Sequence, residues 1–81
     1  MKANIDTFIE VYESKLRKAI RETPRMYAYG PEQIPIVISK MRAAILLGSF
    51  LIEQRAIKDT CRELGIPCTY ISIAKYVRGE L

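Results

Sequence analysis

The side chains with chemistry to offer stand mostly between Ala56 and Gly79. This stretch holds both cysteines, Cys61 and Cys68, and a run of hydroxyls and cations through Thr69, Ser72, Lys75 and Arg78. The chain has no histidine, so two thiols are its only soft metal ligands. A structural zinc site takes about four such ligands, which one copy cannot supply. Ser, Cys and Tyr are present as nucleophiles, yet spacing sets no general base beside any of them. No glycine-rich phosphate cradle occurs. The expectation is a protein without enzymatic activity, metal or cofactor. What remains is recognition: polar side chains on a short helix, presented to a phosphate backbone or to another protein.

Spacing supplies the elements that would position them. Ile57, Cys61 and Leu64 fall at i, i+4 and i+7, one face of a helix. Gly65 follows, where a helix end favours a left-handed residue. Ile66 is set to fold back over that end, and Pro67 bars continuation because it lacks an N–H. Thr69 suits the N-cap of a second helix. Gly79 is the natural stop of that helix. Two helices about a sharp turn make a helix-turn-helix, which often lays its second helix in the DNA major groove.

The second helix admits two phases. In the stronger stripe Tyr70, Ile73, Ala74 and Val77 face the core and Ser72, Lys75 and Arg78 face outward. Counting from Gly65 in the usual helix-turn-helix register, Ile71 and Ala74 face inward instead, leaving Ile73 and Tyr76 to read DNA. The first phase is preferred because it leaves the polar residues outside.

The chain has 81 residues, 49% of them hydrophobic, which suits one small domain, residues 1–81, with its own core. The net charge of +4 favours a phosphate partner by sign, but no dense basic tail exists. Cys61 reads as a small core residue and Cys68 as a partly exposed one; a disulfide between them is left open. No long apolar leader is apparent, and the apolar run 43–52 is short of the roughly 20 residues a membrane helix needs. The expected setting is the reducing cytoplasm, away from membranes.

Residues 5–22 form the clearest helix, with Ile5, Phe8, Ile9, Tyr12, Leu16, Ala19 and Ile20 on one stripe. Thr7 and Glu10 have capping-box spacing, with Asp6 as the alternative cap. Residues 23–35 form an irregular connector with three prolines and one glycine; 31–33 suit a single helical turn. Its Met26, Tyr27 and Tyr29 are expected over the core, with base stacking the alternative for the tyrosines.

Pro35 suits the first turn of a helix over 36–47. That helix is apolar on more than one side, and Phe50, Leu51 and Ile52 add to the excess. Burial from two directions follows, inside a bundle or between subunits. Ile36, Ile38, Leu47, Phe50, Leu51 and Ile52 are the expected oligomer interface. Gly48 and Ser49 break the helix, with Ser49 as a new N-cap, or one longer helix runs through them. The expected fold is all-α with about four helices, residues 36–79 making a trihelical helix-turn-helix-like unit.

The segments MRAAILLGSF (Met41–Phe50), RAIKDTCRELGI (Arg55–Ile66) and TYISIAKYV (Thr69–Val77) resemble small helix-turn-helix-like proteins encoded by phages and prophages. The resemblance covers 31 of the 81 residues and is to a loose class. It implies a small regulatory or accessory protein in a bacterial cell. Cys68 and Ile71 depart from it where a basic or polar residue is expected.

Two functions are therefore expected. In the first, the last helix binds double-stranded DNA. Ser72 and Lys75 reach base edges, Arg78 and the Thr69 helix start hold phosphate, and Arg55, Lys58 and Arg62 add backbone contacts. In the second, the chain is a homo-oligomer or an inhibitor docking on a host protein, without DNA binding. For each charged residue the plainer reading is a solvated helix face.

Overall fold

The computed structural model describes residues 2–81 and is all-helical among them. Four α-helices run in order: α1 (Asn4–Glu22), α2 (Ile34–Leu47), α3 (Arg55–Leu64) and α4 (Tyr70–Val77). Single 3₁₀ turns at Pro24–Met26 and Pro31–Gln33 occupy the connector between α1 and α2.

α1 is the hub. Its stripe of Ile5, Phe8, Ile9, Tyr12, Leu16, Ala19 and Ile20 is buried along its whole length, and α2, α3 and α4 all pack on it. Both α2 and α3 lie antiparallel to it. Arg42 near the end of α2 pairs with Asp6 at the start of α1. Arg55 at the start of α3 pairs with Glu22 at the end of α1, and Lys15 meets Glu63 at 2.6 Å. α4 sits at the other end, where Asn4 Nδ2 donates to the Tyr76 carbonyl at 2.8 Å. The Phe8 and Tyr76 rings are 6.3 Å apart. The last three helices are thus gathered on α1.

The start of α1 differs from expectation. Ala3 is the N-cap and no side chain caps the helix. Asp6 and Thr7 lie inside the first turn, where their backbone N–H groups donate to the Ala3 carbonyl. Asp6 is instead engaged by Arg42. At the other end Thr23 closes the helix, its N–H and hydroxyl both donating to the Ala19 carbonyl at 2.9 and 2.8 Å. Pro24 then cannot extend it.

α2 begins two residues earlier than the 36–47 reading, and Ile34 is buried. Pro35 lies in its first turn, where a missing N–H costs nothing. The break after Leu47 is settled by Gly48, at φ 69° and ψ 22°. The Ser49 N–H reaches the Ala44 carbonyl at 2.8 Å and the Gly48 N–H that of Ile45 at 3.2 Å, a Schellman ending. No helix starts at Ser49; residues 49–54 form a connector. Tyr27 and Tyr29 pack against the core as expected. Met26 does not: it is among the most exposed apolar side chains.

α3 buries Ala56, Ile57, Thr60 and Cys61. Thr60 is tolerated inside because its hydroxyl donates to the Ala56 carbonyl at 2.6 Å. Tyr12 runs through the core and donates to Gln54 Oε1 at 2.7 Å, fastening the start of α3 to the middle of α1.

Candidate interaction surface

The turn between α3 and α4 is built as the residue types require. Gly65 takes φ 69° and ψ 30°, a conformation costly for any residue with a Cβ. The Ile66 N–H returns to the Cys61 carbonyl at 3.0 Å, and Ile66 packs against the core. Thr69 caps α4, its hydroxyl accepting from the Ser72 N–H at 3.1 Å.

Ile73 is the buried residue of α4, and Val77 and Tyr76 pack beside it against the core. Ile71 is exposed. The phase with Ile73 inward therefore holds, and the usual register does not. The outward face is still not the expected one. Lys75 and Arg78 are exposed, but Ser72 is half-buried and Ile71 takes the outermost place with them. Tyr70, assigned to the core, is nearly half exposed and lies across the connector, its ring 5.0 Å from that of Phe50.

The expected phosphate contacts are largely engaged within the chain. Arg55 pairs with Glu22 and lies 3.6 Å from Asp59. Its hydrogen bond holds the Glu22 carboxyl below its ordinary range. Arg62 is 3.3 Å from Asp59, and Arg78 pairs with Glu80. Thr69 spends its acceptor on the cap. Among the described residues, Lys58 and Lys75 form no ion pair. Lys15, Lys18, Arg55, Asp59, Arg62 and Glu63 line an open polar hollow between α1 and α3. Its carboxylates answer most of its cations.

The apolar candidates divide. Leu47 and Leu51 are exposed, as an interface requires. Ile36 is exposed too, but at the far end of α2, beside Tyr29, Val37 and Lys40. Ile38, Phe50 and Ile52 are partly buried and pack against the core, so they are not free interface residues. Their packing takes up part of the apolar excess that the sequence assigned to an interface. Leu46, Tyr70 and Ile71 belong to the exposed set and were not in the expected interface.

Leu46 and Leu47 lie where the end of α2 meets α4. Ile45, Leu46, Leu47 and Gly48 line one hollow with Ala74, Val77 and Arg78, about 230 Å³ in volume. Tyr70, one turn before Ala74 on α4, sets its ring at a tilt against that of Phe50 and donates to the Phe50 carbonyl at 2.7 Å. The end of α2, the connector and α4 thus form a seam that exposes Leu46, Leu47, Leu51, Tyr70 and Ile71.

The thiols lie next to this region. Both are free. Burial pushes the Cys61 thiol up to about 12, and the neighbouring Cys68 adds to the rise. Cys68 Sγ lies 3.8 Å from the Ile52 carbonyl. Among the described residues no three Cys, Asp or Glu side chains converge on a point a metal could occupy. No helix there is long and apolar enough to cross a membrane. No protein family, curated protein or solved structure matches this chain.

Proposed function

We propose that this chain is a small protein-interaction module whose working surface is the seam between the end of α2 and α4. The observation that carries the reading is the exposure of Leu46, Leu47, Leu51 and Ile71 on a fold that has a complete core without them. Exposed apolar side chains concentrated on adjoining elements mark an interaction site, whereas scattered ones need no explanation. The resemblance of the segments Met41–Phe50, Arg55–Ile66 and Thr69–Val77 to small phage- and prophage-encoded proteins supports a regulatory or accessory role in a bacterial cytoplasm. The test is capture by the immobilised full chain, compared with Leu47→Asp and Ile71→Asp. A bound protein, this chain included, that is lost with both variants supports the reading. Capture unchanged by either variant, or no capture at all, removes it.

The second reading is binding to double-stranded DNA. The Gly65 turn and the capped, half-exposed α4 with Lys75 and Arg78 outward favour it. It ranks second because Arg55, Arg62 and Arg78 already face carboxylates and Ile71 stands in the reading position. Titration with random duplex DNA at two salt concentrations decides it, since phosphate binding must weaken as salt rises.

A further inference from the structure

We infer that the occupant of the seam is a second copy of this chain, paired about a two-fold axis; this rests on the seam being the working surface. The argument begins with area. Leu47 is 81% exposed, Leu51 75%, Ile71 71%, Leu46 58% and Tyr70 45%. Complete burial of all five would remove on the order of 600 Å² per copy, so a two-fold pair covers at most about 1,200 Å², the lower end of a standard specific interface. The seam meets that size using its own residues twice.

Charge points the same way. The charged side chain that lines the seam's hollow is Arg78, which pairs with Glu80 of its own chain. The exposed charges next to it along the chain are Glu53 in the connector, Lys75 on α4, and Arg78 and Glu80 just past the end of α4. Two are positive and two negative. A two-fold axis brings each surface against itself, so a rim of mixed sign can pair with its own copy, while a rim of one sign would repel it. A strongly acidic or basic partner has no such match here. Size adds a reason: a chain of 81 residues has a modest core, and association is a common supplement at this length.

Sedimentation equilibrium on the full chain, across a wide concentration range, tests the pairing. The wild type is expected at twice the 9.3 kDa chain mass. Leu47→Asp and Ile71→Asp should each weaken association at least tenfold, which far-UV circular dichroism must show to occur with helicity kept. Ile36→Asp, on exposed apolar surface at the other end of α2, should leave the mass unchanged. A wild type that stays monomeric overturns the inference. If that monomer still captures a different protein through Leu47 and Ile71, the interaction reading survives and only the identity of the partner falls. A dimer that ignores both seam variants overturns the inference and places the contact elsewhere. Should either aspartate variant unfold, Leu47→Gln and Ile71→Gln replace them with the same expected weakening, and unchanged dimers among them count against the pairing.

Discussion

The Tyr70 hydroxyl donates to the Phe50 carbonyl at 2.7 Å while the two rings lie 5.0 Å apart. The same hydroxyl oxygen accepts from the Ile52 N–H at 3.3 Å. One side chain thus satisfies two backbone groups of a connector that has no helix of its own, and it fixes that connector against α4. Tyr70→Phe keeps the ring contact and removes both hydrogen bonds. The expected loss is about 1 kcal/mol, near the usual net worth of a hydrogen bond, because water can reach the freed groups. Urea unfolding of the variant checks this. Faster amide exchange at Ile52, with α1 unchanged, should accompany it.

Gly65→Ala isolates the backbone of the turn. A Cβ built at Gly65 meets nothing within 4 Å, so the cost is not steric crowding by neighbours. It comes from holding an alanine at φ 69°, about 1–2 kcal/mol. The variant should lose that stability with the helical content retained. No loss would mean that the turn relaxes to another conformation at little cost.

α1 was legible because its stripe has one period and one partner surface: Ile5 through Ile20 repeat at helical spacing and all are buried. The Gly65 turn and the Thr69 cap were legible because each depends on the chemistry of one or two adjacent residues, whereas spacing left the end of α2 open between a break at Gly48 and a longer helix. The division of the apolar excess in α2 and the connector was not. Ile38, Phe50 and Ile52 lie against the core while Leu46, Leu47 and Leu51 do not, and side-chain type is nearly the same in both sets. What separates them is where α1 and α4 come to rest, a long-range fact. The long-range ion pairs were hidden for the same reason: Arg55 meets Glu22, thirty-three positions away. Among the pairs, the local Glu13–Arg17 bridge, at 2.9 Å, could be read from spacing.

Two buried acids set the response to alkali. Cys61 has an ordinary value of 9.0 and is raised to about 12 in the fold, chiefly by burial and then by Cys68. Burial also lifts the Tyr12 phenol well above the tyrosine range. Both groups are neutral when protonated, and folding favours that form. Their contribution is full below the values of the unfolded chain and is lost as pH rises through the folded ones. Stability should therefore fall from about pH 9 upward, with the Cys61 share spent by about pH 12. Cys61→Ala should shallow the slope of unfolding free energy against pH in that window, whatever it costs in packing. A slope identical to the wild type would show that Cys61 ionises as freely in the fold as outside it. In the native state Cys68 should react with a thiol reagent faster than the buried Cys61.

The last comparison separates what α4 does for the fold from what it does outside it. Ile73 is fully buried against α1, and Ile71, two residues earlier, is mostly exposed. Ile73→Ala removes packed methyl groups and should cost about 2–5 kcal/mol. Ile71→Ala touches little within one copy and should stay within about 0.5 kcal/mol at high dilution. If two copies pair through the seam, the Ile71→Ala cost grows with protein concentration, because association stabilises the folded state by mass action. Lys75→Ala supplies the third arm. It should leave stability unchanged; if α4 binds DNA, it should also weaken that binding and make its salt dependence shallower by about one unit. Thermal unfolding at two concentrations, beside the DNA titration, reads all three arms. An Ile71→Ala effect that ignores concentration, together with a Lys75→Ala loss in DNA affinity, would return α4 to the role of a reading helix.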